Sequence, residues 1–571
     1  MQTNPTNEEM GRYLIERSGK VRGDEAQGTR HRCPARRVSA AEVFDVAIVG
    51  CGPVGGVLAT LLGQRGHRVV VLERHPQPYQ LPRAVHFDHE VARILQGCGL
   101  GSDLADISEP GSEYEWRNGS GQVLLRFGGR PVGPSGWPDA NMFWQPALEA
   151  RIERAAASHP SVEVRRGRRV VTLDDRTATA GHVALTVDAG PAGAEQVRAR
   201  FVIGCDGANS TVRDLVGIEV TDLGFFYDWL IVDVVLHEPR VFDPINVQIC
   251  EPARPTTVVS GGPGRRRWEF MRLPHESTDE LDDEERAWRL LEPWDVTADD
   301  ATLERHAVYR FQARWADRWR VGSVLIAGDA AHQMPPFAGQ GMCSGIRDAA
   351  NLAWKLDLVL TDRAPHDLLH AYQAERHDNV KAVIELSMAL GRVICITDAD
   401  EAAGRDELMA AGAAAAGAQA MPPLPGVTVG VVRAGDPLAG QLFVQGRVAA
   451  ADDSSDAPAL LDDVAGVGWR IVTPDPAVAA SVPLDAVSRF AALGGQIVAV
   501  DATRDVDLTY ARWFAEHDVI AVVQRPDFNL FGAATSTDDL VELLAHLDAA
   551  LARPAAVRTP TPTPVSNGGT P

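Results

Sequence analysis

Glycines and acids at the ends of three predicted strands are the residues whose types and spacing could do chemistry. The first group, Gly50, Gly52 and Gly55, follows the apolar run at 44–49. Glycine at these positions permits a tight turn, lets backbone N–H groups approach a pyrophosphate, and allows a helix to pack closely on the strand. The N-terminus of that helix adds a positive dipole end for the phosphates. The spacing therefore predicts a dinucleotide site.

Glu73 supplies the acid that such a site needs for its ribose. It follows a second predicted strand at 67–72 and stands 23 residues after Gly50. A carboxylate there accepts hydrogen bonds from ribose hydroxyls and repels a phosphorylated ribose. The strand, helix and strand together predict the opening βαβ unit of a parallel sheet.

Two later segments also place an acid beside a glycine after a strand. The strand at 199–204 leads into Asp206 and Gly207, and the strand at 323–327 leads into Gly328 and Asp329. Together with the first group, they resemble the three fingerprints of the class A flavoprotein monooxygenases, the family typified by para-hydroxybenzoate hydroxylase. The resemblance implies FAD as the cofactor. It assigns Asp329 to the ribityl and ribose part of FAD, and the middle turn to both flavin and nicotinamide nucleotide.

The glycine-rich run at 335–355 matches the same family at high density. The resemblance implies that its loop and helix N-terminus lie against the isoalloxazine edge, through Pro336, Gly339, Gly341, Met342 and Cys343. The family usually has asparagine where this chain has Cys343, so a contact is expected only from the peptide N–H of that residue. Arg83 and Gln145 match further positions that contact FAD, with an ordinary surface location as the alternative for each.

The chain is too long for one core, because 571 residues are about twice the length at which single cores stop growing. The predicted fold class is mixed α/β (α+β). It combines a Rossmann-like FAD-binding domain of the para-hydroxybenzoate hydroxylase type, an inserted β-sheet substrate domain and a C-terminal thioredoxin-like domain. The expected boundaries are a disordered N-terminal segment at 1–41, a discontinuous FAD-binding domain at 42–222 and 315–400, a substrate domain at 223–314, a linker at 401–427, a thioredoxin-like domain at 428–553 and a disordered tail at 554–571.

Composition narrows the class of partner and the compartment. The 55 basic and 77 acidic residues give a net charge of -22, which disfavours nucleic acid and anionic membranes as partners. The seven cysteines are scattered without CxxC or metal-type spacing, which favours a reducing cytoplasm and predicts no metal site. The longest apolar run is too short and too broken to span a bilayer. The C-terminal domain lacks CxxC, so we expect it to be redox-inert and structural, with a homodimer interface as one role.

The family resemblance also implies a reaction. NADH, with NADPH as the alternative, would reduce FAD, and one oxygen atom of O2 would then enter an aromatic ring ortho to a phenolic hydroxyl. The strings at 136–138, 229–233 and 266–271 resemble one branch more closely, the 3-(3-hydroxyphenyl)propionate hydroxylases. That branch implies conversion of 3-(3-hydroxyphenyl)propanoate to 2,3-dihydroxyphenylpropanoate. A larger polycyclic phenol as substrate and a non-catalytic flavin-binding protein are the alternatives.

Three residues are nominated for the small phenolic substrate. Arg267 offers a guanidinium fork that suits the propionate carboxylate. His86 or Asp88 is expected to relay the phenolic proton. For each of the three, an ion pair or a satisfied polar contact is the alternative.

Overall fold

Two eight-stranded sheets and a smaller C-terminal sheet organise the chain. A computed structural model describes residues 43–416, 424–449 and 457–552. The disordered segments expected at 1–41 and 554–571 lie outside the described residues. The mixed α/β class is confirmed. None of the described helices combines the length and apolar content needed to cross a membrane.

The first sheet carries the three predicted turns. Across the sheet the strands run in the order Arg320–Val321, Val324–Ile326, Ala194–Gly204, Phe44–Val49, Val69–Glu73 and Val162–Arg166. Two further strands extend it, since His182–Asp188 pairs with Ala194–Gly204 and Arg169–Arg176 pairs with His182–Asp188. In this order, the five strands from Val324–Ile326 to Val162–Arg166 are all parallel to their neighbours. Because the carboxyl ends of parallel strands share one edge, the glycine-and-acid turns all lie at that edge.

Long helices cover this sheet. They are Pro53–Gly63, Gln145–Ser158, Gly341–Leu360 and His370–Ile394. The sequence pattern predicts an amphipathic helix at 347–360, but 17 of the 20 residues of Gly341–Leu360 are buried. The helix is enclosed because it packs on the helix Pro53–Gly63 and also on the helix His370–Ile394. A helix buried on all sides has no solvated face to keep polar, and its charged residues must find partners inside the protein.

The second sheet corresponds to the predicted substrate domain but extends past 223–314 at both edges. Its strand order is His332–Gln333, Ala301–Ala316, Val220–Leu236, Arg265–Met271, Thr256–Ser260, Asn246–Ile249, Glu113–Arg117 and Val123–Gly128. One face packs on the helices Thr278–Leu281 and Glu284–Leu291 in a separate apolar core. A separate three-stranded sheet has the order His86–Asp88, Ala140–Phe143 and Ser108–Pro110.

The C-terminal unit has the predicted thioredoxin-like arrangement. Its sheet has the order Gln496–Ala499, Arg470–Thr473, Ala521–Gln524 and Leu530–Ala534, in which the first pair is parallel and the other pairs are antiparallel. Its helices are Leu461–Ala465, Pro476–Ser481, Leu484–Ala492, Thr509–His517 and Thr537–Ala552. A two-stranded pair, Arg447–Val448 and Ala459–Leu460, precedes this sheet.

The helix Ala399–Ala416 occupies the first part of the linker predicted at 401–427, whose alanines suit a helix as well as a connector. Alanine is the best helix former, and the helix packs on the strand Val123–Gly128. Arg405 also donates a 2.5 Å hydrogen bond to the carbonyl oxygen of Cys250. The rest of the predicted linker lies partly at 417–423, outside the described residues.

The remaining short helices are His89–Leu95, Gln96–Leu100, Gly101–Ile107, Thr177–Ala180, Gly190–Ala192, Thr211–Leu215, Glu292–Trp294, Gly328–Ala330, Pro336–Ala338 and His366–Leu369.

Candidate functional site

The three predicted turns touch one another at the edge of the first sheet. Gly50 has a φ of 103°, and a Cβ atom there would lie 2.4 Å from the carbonyl oxygen of Cys205. A Cβ atom on Gly345 would lie 2.6 Å from the side chain of Val54 and 3.1 Å from the Cα of Gly328. The first turn therefore packs against the second, and the helix after the third turn packs against the third turn and against the helix that follows the first turn.

Gly52 and Glu73 leave room and hydrogen-bonding capacity for a nucleotide. A Cβ atom on Gly52 would meet nothing within 4 Å, although Gly52 stands at the N-terminus of the helix Pro53–Gly63. Glu73 accepts hydrogen bonds of 2.8 Å from the N–H groups of Cys51 and His75, one on each carboxylate oxygen. Each oxygen keeps a further lone pair for a ribose hydroxyl. Gly55 stays a packing position, because a Cβ atom there would lie 2.1 Å from the carbonyl oxygen of Gly50.

In the second turn the acid is occupied by its own helix. The Asp206 carboxylate accepts hydrogen bonds from the Ser210 hydroxyl at 2.5 Å and from the N–H of Val212 at 3.0 Å. Burial raises the pKa of Asp206. Gly207 lies in open space. A ligand contact from this turn stays a prediction, and the backbone is the part that is free to make it.

In the third turn the acid is free. Asp329 is exposed, and within the described part of the chain no hydrogen bond reaches its carboxylate. Burial nevertheless raises the pKa of Asp329, because the carboxylate lies in a recess with protein around it. An accessible, unpartnered acceptor in a recess suits the hydroxyl groups of a ribityl chain. FAD therefore fits the residues present at this edge.

Asp348 holds the third turn in place, and this role was missed from the sequence. Its carboxylate accepts hydrogen bonds from the N–H of Gly328 at 3.0 Å and from Arg376 at 2.8 Å, and it contacts His332 at 2.6 Å. Burial acts to raise the pKa of Asp348, but His332 and Arg376 hold it below its usual value. The residue was visible in the run at 335–355, but its three partners are visible only in the fold.

The predicted isoalloxazine loop lies beside His86. The short helix Pro336–Ala338 ends at Gly339, whose carbonyl oxygen is 3.2 Å from the Nδ1 atom of His86. Cys343 is fully buried, with Sγ 3.8 Å from the carbonyl oxygens of His86 and Gly339. Burial raises the pKa of the Cys343 thiol, so the group is inert. The peptide N–H groups at the start of the helix, at Gly341, Met342 and Cys343, are suited to a flavin, and contacts from Pro336 and Gly339 stay predictions.

Two side chains fix the backbone of the Arg83 loop. Gln145 accepts hydrogen bonds from the N–H groups of Arg83 at 2.8 Å and Ala84 at 2.6 Å. Arg267 donates to the carbonyl oxygens of Arg83 at 2.7 Å and Pro82 at 3.0 Å. Gln145 is buried, so its place in the structure is that of a positioning residue. A direct contact of Arg83 or Gln145 with FAD stays a prediction.

These contacts favour the ion-pair alternative for Arg267, and its role in binding a substrate carboxylate stays a prediction. Its guanidinium forms a bidentate ion pair with Asp233, at 2.6 Å and 3.0 Å, and both side chains are buried. With the two carbonyl oxygens of the Arg83 loop, four of its five N–H groups are used. Asp233 lies directly opposite Arg267 on the neighbouring strand, which the sequence could not show.

Asp88 likewise makes the contacts of the ion-pair alternative, and its role as a proton relay stays a prediction. Asp88 caps the helix His89–Leu95 by accepting from the N–H of Val91, and it pairs with Arg347 at 2.5 Å. Burial acts to raise the pKa of Asp88, but Arg347 holds it well below its usual range. Burial lowers the pKa of His86, so its ring is neutral near neutral pH. The relay role of His86 stays a prediction.

One face of the second sheet looks toward both predicted flavin loops, and we call it the site face. By strand register it carries Tyr114, Trp116, Trp229, Ile231, Asp233, Arg267, Glu269 and Met271. The Trp229 ring packs edge-on against Phe337 with centroids 5.8 Å apart, and Arg267 holds the Arg83 loop. The opposite face is the apolar core, with Leu230 and Trp268 among its members. A face with mixed aromatic and ionisable groups is suited to a phenol.

Asp329→Asn should weaken FAD binding about 10-fold, because an amide is a poorer acceptor for ribityl hydroxyls than a carboxylate. The apo protein should be equally stable or slightly more stable. A carboxyl whose folded pKa is raised costs stability as pH rises through its unfolded value, and the amide removes that cost. FAD titration by fluorescence quenching and thermal unfolding of the apo protein give the two numbers. Unchanged FAD affinity would remove Asp329 from the site.

Comparisons with known proteins agree with this geometry. The FAD binding domain family matches residues 43–387, and the HcaD C-terminal domain family matches residues 440–550. A probable NADH-specific resorcinol 4-hydroxylase of Rhodococcus jostii (strain RHA1) is 39% identical over 530 residues, which cover 91% of this chain and 98% of that protein. A 3-(3-hydroxy-phenyl)propionate/3-hydroxycinnamic acid hydroxylase of Mycobacterium sp. (strain JLS) is 35% identical over 523 residues, covering 86% and 89%.

A solved structure has the same fold. The flavin-dependent monooxygenase PieE, crystallised with FAD and substrate, superposes with a TM-score of 0.73 at 20% identity, covering 90% of this chain and 99% of that one. The cradle of three turns, the free acceptor at Asp329 and the family match over more than half of the chain lead to one conclusion. The chain belongs to the FAD binding domain family and is an FAD-dependent aromatic hydroxylase, a flavoprotein monooxygenase.

Proposed function

We propose that this enzyme uses NADH to hydroxylate a single-ring phenol ortho to its hydroxyl, and that resorcinol is the substrate its site suits best. The ion pair of Arg267 with Asp233 carries the proposal. Because that guanidinium is spent inside the protein, it offers little to a substrate carboxylate. The similarity at 39% identity to a protein named as a resorcinol 4-hydroxylase supports the same substrate.

The charges of the site face also favour a neutral ring. Glu269 stands two residues from Arg267 on the same strand, with Oε1 3.7 Å from Nη1 of Arg267. An acid at this place repels a carboxylate and accepts a hydrogen bond from a hydroxyl. A second hydroxyl at the meta position is therefore better tolerated than a charged side chain.

When bound, FAD supplies the activated oxygen, and the chain supplies position and environment. Trp229 and Phe337 form an aromatic wall between the site face and the isoalloxazine loop. The N-terminus of the helix Gly341–Leu360 places a positive dipole end at that loop, which stabilises negative charge on a reduced ring. Asp348 and Gln145 keep the third turn and the Arg83 loop in register.

3-(3-Hydroxyphenyl)propanoate is the second candidate. It is supported by the strings at 229–233 and 266–271 and by 35% identity to a protein named for that substrate. A larger polycyclic phenol has less support, since the chain's likeness to solved structures such as aklavinone-11 hydroxylase, at 22% identity, reaches the fold alone.

A substrate panel tests the proposal. We expect resorcinol to stimulate NADH oxidation by the holoenzyme more than the other compounds do. Mass spectrometry should show one added hydroxyl on the product, and NMR should place that hydroxyl ortho to an existing one. 3-(3-Hydroxyphenyl)propanoate, a polycyclic phenol and NADPH are the comparisons. A higher kcat/KM for the propanoate would replace resorcinol as the substrate, and NADH oxidation that no phenol stimulates would refute hydroxylation of phenols.

Arg267→Ala should lower kcat/KM for neutral and carboxylated phenols by similar factors, leaving their ratio within about 3-fold of wild type. The physical reason is that the variant releases the Arg83 loop and leaves Asp233 buried without its partner, which affects every substrate alike. Steady-state kinetics with resorcinol and 3-(3-hydroxyphenyl)propanoate measure the ratio. A selective loss of more than about 10-fold for the propanoate would restore the carboxylate-binding role of Arg267.

A further inference from the structure

We propose that the carboxylate of Glu269 binds the phenolic hydroxyl of the substrate and takes its proton as the ring is hydroxylated. The inference rests on the proposed function and names the residue that would carry the proton. Three independent features of the structure support it: where Glu269 lies, how its carboxylate is partnered, and which donors surround it.

Glu269 lies between the two places where the site face meets the predicted flavin loops. It pairs across the sheet with Ile231, which stands two residues from Trp229 and two from Asp233. Trp229 contacts Phe337 of the isoalloxazine loop, and Arg267, two residues from Glu269, holds the Arg83 loop. A ring that enters between these loops therefore meets the Glu269 side chain.

The Glu269 carboxylate is not committed to a protein donor. Within the described chain no hydrogen bond reaches it, and its nearest cation is the Arg267 Nη1 atom at 3.7 Å. Asp233, the other acid of this face, is bonded on both oxygens by Arg267. The Glu269 side chain is largely buried but keeps 12% of its surface exposed, so the free acceptor is still reachable from the site. A buried acceptor without a donor is costly unless a ligand supplies one.

Its environment makes it a stronger base than an ordinary glutamate. Burial raises the pKa of Glu269, Arg267 and Arg305 oppose the rise, and Asp233 adds to it. The remaining ionisable group that faces it is Tyr114, whose own pKa is raised by burial, by Cys250 and by Glu269. A higher carboxyl pKa narrows the gap to a phenol, whose pKa is about 10 in water.

The proton transfer balances within the site. The phenolic O–H bond breaks and an O–H bond forms on a carboxylate oxygen of Glu269. The electron pair left on the phenolic oxygen is delocalised into the ring, which makes the ortho carbon electron-rich and ready to accept the oxygen atom. As the hydroxylated ring regains aromaticity, the hydrogen of the attacked carbon moves as a proton to the phenolic oxygen. Glu269 gives its own proton to water after the product departs, which restores the carboxylate.

An unpartnered donor on the same face adds to a site for a dihydroxybenzene. The indole N–H group of Trp229 is buried and has no hydrogen-bond partner among the described residues. Trp229 lies on the site face with Glu269. One acceptor and one donor on an aromatic surface match a ring with two hydroxyl groups better than a purely apolar ring.

Glu269→Gln in the FAD-loaded enzyme tests the proposal, because the amide keeps the size of the side chain and removes its basicity. We expect FAD affinity to be unchanged and the Kd for resorcinol, measured by calorimetry, to rise about 10-fold or more. The kcat/KM should fall about 100-fold, and the acid limb of its pH profile, which reports the Glu269 carboxylate, should disappear. A Kd and a pH profile within about 2-fold of wild type would overturn the proposal.

Glu304→Gln is the matched control, since Glu304 lies in the same sheet, burial also raises its pKa and its arginine neighbour, Arg265, is at a similar distance of 3.6 Å. Glu304 differs in position, because its strand neighbours Leu303 and Arg305 pair with Val234 and Asp233 and not with the residues beside Trp229. Glu304→Gln should leave the Kd for resorcinol and the acid limb of the pH profile unchanged, and an equal effect of both variants would overturn a specific role for Glu269.

The Kd for resorcinol can be measured whether or not the enzyme hydroxylates it, so the two proposals can fail separately. If wild type binds resorcinol without hydroxylating it, the proposed function fails, and a rise in Kd in Glu269→Gln alone still supports Glu269 as the hydroxyl-binding group. If wild type binds no phenol, both are refuted.

Discussion

Gly52→Ala should yield a folded protein that has lost its FAD. The backbone of Gly52 has a φ of −82°, which alanine adopts without strain, and a Cβ atom there would meet no protein atom within 4 Å. The added methyl group instead fills the space at the helix N-terminus through which a pyrophosphate approaches the backbone. We expect FAD affinity to fall about 100-fold or more, which corresponds to about 3 kcal/mol. Fluorescence titration of the apo protein and circular dichroism measure affinity and folding separately.

Gly404→Ala is the matched control for this substitution. Gly404 also has open space at its Cβ position, but it lies in the helix Ala399–Ala416, away from the three turns. Alanine there should raise stability by about 0.5–1 kcal/mol through helix propensity and leave FAD affinity unchanged. If Gly52→Ala bound FAD as tightly as Gly404→Ala does, the pyrophosphate would not lie at the first turn.

Glu375→Ala should lower the free energy of unfolding by about 3–5 kcal/mol, because it leaves the buried Lys355 without its acid and removes one of the two acids that pair with the buried Arg525. One oxygen of Glu375 contacts Lys355 at 2.8 Å and Arg525 at 2.6 Å, and these three side chains are fully buried. The other oxygen accepts from the N–H of Val431 at 2.8 Å. Urea denaturation of the holoenzyme and of the apo protein measures the loss.

FAD affinity should fall in the same variant, although Glu375 lies outside the predicted FAD contacts. Lys355 belongs to the helix that begins at the isoalloxazine loop, and Arg525 belongs to the thioredoxin-like domain. Asp527 of that domain also accepts from the indole N–H of Trp354 on the same helix, at 3.1 Å. The C-terminal domain thus holds the helix whose N-terminus would face the flavin, which gives a domain without CxxC a structural task.

Glu385→Ala is the control for this second prediction. Glu385 lies in the same helix as Glu375, but it is exposed and its nearest cation, Lys381, is 4.0 Å away. Its loss should change stability by less than about 1 kcal/mol. A Glu375→Ala protein as stable as Glu385→Ala would show that the buried network contributes nothing to domain docking.

The pH dependence of the Glu375 network follows from its pKa. Burial acts to raise the pKa of Glu375, but Arg525 and Lys355 hold it below its usual value. A depressed carboxyl pKa contributes stability that is present above the unfolded pKa of about 4.3 and is lost as pH falls through the folded value. The difference in stability between wild type and Glu375→Ala should therefore be full near pH 7 and shrink below about pH 4.

Local patterns were sufficient for the parts of this protein that depend on neighbouring residues. The turns at Gly50, Asp206 and Asp329 each follow a strand and contain a glycine, and each has an acid nearby in the sequence or on the next strand. They can therefore be recognised from the local sequence, without knowing which residues they contact. Parallel pairing then had to bring them to one edge, since the carboxyl ends of parallel strands always share it. The helix Ala399–Ala416 was harder, because alanine and glycine together suit both a connector and a helix, and packing on the strand Val123–Gly128 decided between them.

Tertiary structure alone decided what the charged residues do. Arg267 looked available for a substrate because its partner, Asp233, lies 34 positions away and becomes opposite only through strand register. The same register leaves Glu269 on the site face without a donor. Glu375 and Arg525 are 150 positions apart and meet only when the C-terminal domain docks. Burial makes each of these pairings strong, and burial depends on how sheets and domains pack, which no local pattern of residues encodes.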